Sequence, residues 1–181
     1  MHLSLSSVNI LRSSIVWLSL MVPLLSSCAA KKIIYMHRIT DQGVKEQIGS
    51  VVAFDTSNGL VIQPDLRDLP AGEHGFHLHS VGNCEPSEMG GRKVAGHSAD
   101  GHWDPENTGT HQGPYGTGHL GDLSRLIVSE DKLARTRAYA PRLRVSDLSG
   151  KALMIHAGGD TYSDTPNLGG GGARIACGVI D

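Results

Sequence analysis

Short β-prone runs separated by turn residues restrict the fold of this chain more than any other feature of the sequence. Eight such runs of four to eight residues lie at 33–37, 47–54, 59–66, 75–80, 126–129, 137–140, 152–156 and 173–180. No long stretch sustains the apolar period of a helix. Pro64 lies inside the third run and predicts an edge strand or a bulge there. Many short strands with frequent turns favour a β-sandwich or β-barrel, so we predict an all-β fold with one domain.

Two segments between these runs are long and have little apolar periodicity. Residues 81–123 are rich in Gly, His, Asp and Pro, and residues 157–172 end in four consecutive glycines. Seven of the ten histidines lie between positions 74 and 119. Long irregular loops in a compact domain are usually functional. We therefore predict two functional loops that a metal orders. The net charge of −2 and the lack of a long basic run do not indicate a nucleic-acid partner.

The first residues of the chain have the pattern of an export signal. Residues 15–25 are mostly apolar, which is too short for a membrane span but typical of a signal peptide. They lead into Leu25-Ser26-Ser27-Cys28, which resembles a bacterial lipobox whose cysteine is lipidated. We predict a lipoprotein-type signal peptide at 1–27, a mature domain at 28–181, and a lipid on Cys28. An ordinary secretory signal cut near Ala30 is the alternative.

The three cysteines are consistent with this interpretation. An odd number in an exported protein leaves one unpaired, and lipidation of Cys28 would account for it. Cys84 and Cys177 could then form a disulfide in an oxidising compartment, or remain as two free buried thiols. A loop of that length would stabilise the fold by about 4–5 kcal/mol in the chain-entropy model.

Histidines on the β-prone runs are the first candidate metal ligands. His77 and His79 are two residues apart in a strand, so both can reach one ion, although the pattern also occurs in exposed polar strands. His156 ends the apolar run 152–155 and by itself indicates a strand-end histidine with a backbone partner. Asp160 follows it, either as a carboxylate that orients a ligand imidazole or as an ordinary turn residue.

A denser group lies in the first long loop. His102, His111, His119 and Asp122 offer three nitrogens and one oxygen, the donor set of a tetrahedral zinc site. Four protein ligands leave no open position, which indicates a structural zinc. A solvated polar loop is the alternative.

Taken together, these residues resemble the copper–zinc superoxide dismutase family in its bacterial exported form. The matching stretches follow the family's order along the chain. They are Gly75-Phe76-His77-Leu78-His79, Gly101-His102-Trp103-Asp104-Pro105-Glu106, Gly118-His119-Leu120-Gly121-Asp122-Leu123, Leu153-Met154-Ile155-His156 and Gly170-Gly171-Gly172-Ala173-Arg174-Ile175-Ala176-Cys177-Gly178-Val179-Ile180. The resemblance implies an eight-stranded Greek-key β-barrel, or sandwich, with two long functional loops.

The resemblance also implies one copper and one zinc per subunit. The implied copper ligands are His77, His79, His102 and His156. The implied zinc ligands are His102, His111, His119 and Asp122, so that His102 is shared. Asp160 is implied to join a copper histidine to a zinc histidine, His77 to His111, and Cys84 and Cys177 to form the family disulfide.

The implied activity is the dismutation of superoxide to oxygen and hydrogen peroxide. Arg174 is implied to attract and orient the anion, and His102 to release reduced copper and take up a proton. This activity would protect the cell envelope, on its periplasmic side. Ala29 after the lipidated cysteine favours anchoring in the outer membrane over the inner one. The protein could be a monomer or a homodimer.

Parts of the pattern also occur in three other kinds of protein. A non-catalytic copper-binding or metal-delivery module could share the fold, and a zinc-free relative would lack the loop set. A cupin-type enzyme would require Glu85 as a ligand and leaves that set unexplained. Outside the implied set, His97 could add an accessory metal contact and Arg92 with Lys93 could add to anion attraction. His37 and His74 are predicted to be ordinary strand-surface residues.

Overall fold

The computed structural model describes residues 30–181, so the predicted signal peptide and Cys28 lie outside the described residues. The strands are β1 (Lys31–Thr40), β2 (Gly43–Thr56), β3 (Gly59–Leu66), β4 (Gly72–His74), β5 (Phe76–His79), β6 (Ser87–Met89), β7 (Arg92–Val94), β8 (Leu126–Val128), β9 (Ala138–Ala140), β10 (Lys151–His156) and β11 (Arg174–Ile180). Short 3-10 turns lie at His97–Ala99, Val145–Asp147 and Asn167–Gly170. Within residues 30–181, no helix has the length and apolar character needed to cross a membrane.

Seven strands form one antiparallel sheet in the order β5-β10-β11-β1-β2-β3-β9, and β4 pairs with β8. Only Gly75 separates β4 from β5, so the two are halves of one bent strand. Counted in this way, and without the small β6–β7 hairpin, the structure has the eight strands predicted. The all-β prediction is confirmed, and all eight β-prone runs coincide with strands.

Alternation along β1 separates core residues from surface residues. On β1, Ile34 and Met36 are buried, whereas Ile33 and Tyr35 point outward and are about half exposed. Successive side chains of a strand face opposite sides of the sheet, so this pattern follows from the backbone. Ile34 and Met36 join residues of the other strands in the main apolar core, whereas Ile39 belongs to a smaller cluster around the disulfide.

Two local features differ from, or refine, the expectations. The hairpin β6–β7 lies inside the segment 81–123, where no strand was predicted. Pro64 lies in β3 beyond the stretch Leu60–Ile62 that pairs with β9, so its missing N–H removes no bond on that side.

The first long loop lies along the free edge of β5. That strand is at the end of the seven-stranded sheet, and unpaired edge groups readily accept another extended segment. The N–H of Leu78 donates to Gly121 O (2.9 Å), and the N–H of Trp103 donates to Leu78 O (2.8 Å). A Cβ atom at Gly121 would overlap the carbonyl oxygen of Leu78, so only glycine permits this approach. The loop is also tied to β11 by a disulfide between Cys84 and Cys177.

Candidate metal centre

Pairing along the β5 edge brings loop residues beside the strand histidines. Bridges join His77 to Asp122 and His79 to His102. On the other side of β5, β10 places Met154 opposite His77, and the N–H of His156 donates to Gly75 O at 2.9 Å. A bulge at the end of β10 shifts the register between Ile155 and His156. Residues from four separate parts of the sequence thus converge at one end of the bent strand.

Four histidines form a first ligand group. They are His77, His79, His102 and His156, and they can offer four ring nitrogens within 4.8 Å of one another. All four are buried, and the rings of His77 and His102 stack with centroids 3.8 Å apart. We call this the four-histidine group.

A second group surrounds one carboxylate oxygen. The Nδ1 atoms of His102 and His111 each lie 3.0 Å from Asp122 Oδ1, and Nδ1 of His119 lies 3.5 Å from the same oxygen. Tetrahedral zinc ligands, 2.0–2.1 Å from the ion, are about 3.3 Å from one another. The three distances to Asp122 Oδ1 are close to this spacing, and we call these four residues the Asp122 group. By distance His77 also lies near it, within 4.8 Å of His102, His111 and Asp122.

Unpartnered buried nitrogens show that both groups suit metal ions. Buried ring nitrogens normally have hydrogen-bond partners. Among residues 30–181, five make no hydrogen bond of acceptable geometry, namely His77 Nδ1, His79 Nε2, His156 Nε2, His111 Nδ1 and His119 Nδ1, although the last two lie near Asp122 Oδ1. Each belongs to one of the two groups, and imidazole nitrogen is a preferred donor for both copper and zinc. The donor set therefore fits two metal ions.

The second ring nitrogen of several of these histidines is held by an acceptor. His77 Nε2 and His111 Nε2 donate to the two oxygens of Asp160, each at 2.8 Å. His79 Nδ1 donates to Asp100 O at 2.7 Å, and His156 Nδ1 donates to Gly172 O at 3.1 Å. In the neutral rings of His77, His79 and His156 the proton is on the nitrogen facing the acceptor, so the unpartnered nitrogen carries a lone pair.

The pKa values of the two groups differ. Burial lowers the pKa of His77, His79 and His102, and lowers that of His156 to about 4, so the four-histidine group stays neutral. Burial alone would also lower the pKa of His111, but contacts with the carboxylates of Asp122 and Asp160 outweigh it and raise the pKa to about 9. Below that pH, a cation entering the Asp122 group must displace a proton from His111.

The second long loop holds Asp160 in place, and sequence reasoning missed how it does so. The carboxylate of Asp164 accepts the backbone N–H of His111 at 3.1 Å, and the N–H of Tyr162 donates to Asp160 Oδ1 at 2.7 Å. The hydroxyl of Tyr162 accepts the N–H of Arg125 at 2.9 Å. A Cβ atom at Gly169 would overlap the Asp160 carboxylate, which gives the glycine run a role that its composition alone could not reveal.

Arg174 lies half buried beside the four-histidine group. Its guanidinium donates to Gly96 O at 2.6 Å and to Asp100 O at 2.7 Å. The Asp100 oxygen also accepts the proton of His79, so one carbonyl binds both residues. Asp100 has φ 64° and ψ −157°, a region that residues other than glycine rarely adopt. Such strain is typical of functional sites, but it cannot be read from the sequence.

Two other predictions on histidines have definite outcomes. His74 was predicted to be a strand-surface residue, and this is wrong. It is buried, with Nδ1 2.8 Å from His156 O and Nε2 2.8 Å from Pro70 O, because the bend at Gly75 turns it inward. His97 belongs to neither of the two groups found among residues 30–181.

An antiparallel barrel with two adjoining ligand groups that meet at His102 defines a metalloprotein with a two-metal centre. Known proteins agree with this class. The sequence profile of the family described as "Copper/zinc superoxide dismutase (SODC)" matches residues 48–180. The chain is 50% identical over 171 residues to the superoxide dismutase [Cu-Zn] of Escherichia coli K12, covering 93% of this chain and 98% of the relative.

Solved structures extend the comparison to the fold. The Cu/Zn superoxide dismutase of Brucella abortus superposes with a TM-score of 0.82 at 41% identity, covering 84% of this chain and all of that one. The monomeric copper, zinc superoxide dismutase of Salmonella enterica gives 0.76 at 51% identity, with the same coverage. The chain belongs to the copper/zinc superoxide dismutase family, and with this membership the Greek-key barrel, the activity and the use of copper and zinc are confirmed.

Proposed function

We propose that the four-histidine group holds copper and the Asp122 group holds zinc. The copper ligands would be His77, His79, His102 and His156, and the zinc ligands His102, His111, His119 and Asp122. The observation that carries this assignment is the set of five buried nitrogens without partners, of which three belong to the first group and two to the second.

His102 is the residue that the two ions would share. His77 is close to both groups, but its Nε2 atom donates to Asp160, which leaves one nitrogen for a metal. The Nδ1 atom of His102 lies in the Asp122 group, and its Nε2 atom is on the opposite side of the ring. His102 can therefore offer one nitrogen to each group.

The chemistry is divided between the ions and the chain. Bound copper supplies one-electron transfer, oxidising one superoxide and reducing another, whereas zinc keeps one oxidation state. We propose that His102 Nε2, once it has released reduced copper, would take up one of the two protons that leave in hydrogen peroxide, and that solvent would supply the other. The Asp122 group holds the other side of that ring, so the proton-carrying nitrogen stays in a fixed position. Arg174 would bind the anion through the part of its guanidinium that remains exposed.

The metal assignment is tested by titrating the metal-free protein. We expect one zinc and one copper to bind per chain, with superoxide consumption returning only after copper is added. Zinc added first should not block copper, because the two groups offer different nitrogens. Metal analysis and a superoxide-consumption assay before and after chelation provide the readouts. A fully loaded protein with a single metal per chain would contradict the assignment.

Replacing Arg174 with Ala is expected to lower kcat/KM about tenfold at low ionic strength, because the fixed charge that steers the anion is lost. Both metals should remain bound, since the Arg174 guanidinium donates to backbone carbonyls and makes no hydrogen bond to a ring nitrogen of either group. The conservative variant Arg174→Lys keeps the charge and should recover part of the rate. Arg67→Ala removes an exposed cation elsewhere and is the control. An unchanged salt dependence in Arg174→Ala would refute the steering role.

We also propose that the protein is anchored on the periplasmic side of the bacterial envelope by a lipid on Cys28, in the outer rather than the inner membrane. The support is the sequence Leu25-Ser26-Ser27-Cys28-Ala29 after an apolar run. There the enzyme would protect the envelope from superoxide.

The monomeric state named for the Salmonella relative supports a monomer here.

The anchor predicts that the mature protein fractionates with membranes and that its N-terminal peptide carries the mass of an acylated cysteine. Cys28→Ala should abolish that mass and remove the mature protein from the membrane fraction. Separation of inner and outer membranes on a density gradient identifies the membrane that holds the anchor. An unmodified N-terminus near residue 30 would instead establish an ordinary secretory signal.

A further inference from the structure

Four exposed apolar side chains gather on the outer face of the barrel where β1 lies beside β11. Ile33 and Tyr35 are 51% and 57% exposed, and Val44 and Val179 are also exposed. They line one groove of about 500 Å³, which we call the β1 groove, together with Lys32, His37, Cys84 and Asp181. Single exposed apolar residues are ordinary on a soluble protein, but a contiguous apolar surface indicates an interaction site.

The position of these residues on the strand makes their apolar character informative. Ile33 and Tyr35 occupy the outward positions of β1, whose inward positions already supply Ile34 and Met36 to the core. Polar residues usually occupy the outward positions of such a strand. The fold therefore does not require apolar side chains here, and an external partner would explain them.

The short distance in sequence between Cys28 and β1 indicates which partner this is. β1 begins at Lys31, only three residues after the cysteine that would carry the lipid. Three residues span at most about 11 Å. A lipid on Cys28 that is inserted in the bilayer would therefore hold the first residues of β1 close to the bilayer surface. Ile33 and Tyr35 then lie within the next few residues of the strand, on its outer face.

The chemistry of the surface suits a bilayer interface. Lys31 and Lys32 precede the apolar pair and can contact anionic headgroups, while Asp181 is the acidic residue among those lining the groove. Tyrosine is favoured at the level of the headgroups because its ring is apolar and its hydroxyl polar. We propose that the β1 groove is a membrane-docking face that holds the domain against an anionic phospholipid surface. This inference rests on the proposed lipid anchor.

The test measures which face of the anchored protein is shielded. The lipoprotein is purified from cells, its N-terminal mass is recorded, and it is reconstituted into vesicles of phosphatidylethanolamine and phosphatidylglycerol. A thiol-reactive fluorophore is attached at Tyr35→Cys or, as the control, at Tyr139→Cys. Tyr139 is a partly exposed tyrosine on β9, three strands away in the sheet. With Cys84 and Cys177 in a disulfide and Cys28 acylated, the added thiol is the one labelled.

We expect aqueous iodide to quench the probe at position 35 about threefold less than the probe at 139 on vesicles, because an interfacial face is buried among headgroups. In detergent the two probes should be quenched alike. A probe at Val179→Cys should be shielded in the same way, and Ile33→Ser with Tyr35→Ser should abolish that shielding without changing activity, since neither residue contacts a metal group.

The outcomes separate the inference from its premise. A mass without acyl chains refutes both the anchor and the docking face. An acylated protein whose probes at 35 and 139 are quenched equally on vesicles refutes the docking face alone. Shielding that appears in detergent and rises with protein concentration would show that a second copy covers the groove, and it would overturn the membrane assignment.

Discussion

Asp160→Asn is expected to weaken zinc binding by about 10–100-fold, the usual cost of losing a residue that orients a metal ligand. Each oxygen of Asp160 accepts a proton from a different histidine, His77 or His111. An asparagine has one acceptor oxygen and one donor nitrogen, so one of the two rings would face a second donor and turn away. Competition with a chromophoric chelator measures the zinc affinity.

A matched variant isolates this effect. Asp164→Asn also removes a charge beside His111, but an amide oxygen can still accept the backbone N–H that Asp164 accepts now. Its zinc affinity should fall much less than that of Asp160→Asn. The pKa of Asp160 supports the contrast. Burial would raise it, but hydrogen bonds from His111 and His77 hold it well below its usual range, so an ionised acceptor is present at neutral pH. Equal losses in the two variants would contradict the bridging role.

Removing the disulfide with Cys84→Ala and Cys177→Ala is expected to lower the free energy of unfolding by about 4–5 kcal/mol. The bond joins residues 93 apart, and closing so long a loop removes much entropy from the unfolded chain. Guanidinium unfolding of the metal-free protein measures the loss. Metal-free samples are required because a bound ion would add its own stabilisation.

Reduction of the wild-type protein is the control for this pair of substitutions. It breaks the same bond but leaves both sulfur atoms in place, so it should reproduce most of the loss. The single variant Cys84→Ala should resemble the double variant, because either substitution opens the loop. A loss below about 1 kcal/mol would contradict the entropic account.

The barrel could be predicted from sequence because each of its strands is a local pattern. Residues 59–66 were predicted as a strand and form β3 with the same bounds. The bend at Gly75 could not be predicted, since the run 75–80 begins at the bend and covers only β5, while β4 on the other side is positioned by its pairing with β8. The hairpin β6–β7 was missed because its two strands have only three residues each and are mostly polar. They are linked by Gly90 and Gly91 and show little apolar alternation.

The metal-binding side chains of the candidate site and the orienting carboxylate of Asp160 were predictable, but the backbone acceptors were not. His77 and His79 are visible as an alternating pair, and His102 with Asp122 as members of a histidine-rich loop. Two of the acceptors that orient these histidines are backbone carbonyls, Asp100 O and Gly172 O, and every residue possesses such a group. No residue type marks such a role. His74 was misjudged for a related reason, because its burial depends on the bend and not on the alternation of its own strand.

The shared oxygen of Asp100 has a consequence for how this enzyme can vary. Arg174, which would bind the substrate, and His79, which would bind copper, both donate a hydrogen bond to the carbonyl oxygen of Asp100. Asp100 itself has an uncommon backbone conformation. A small rotation of that peptide plane would displace both side chains at once. Substitutions in residues 96–100 should therefore change the rate of superoxide binding and the reduction potential of the centre together. One of these two properties could not change without the other.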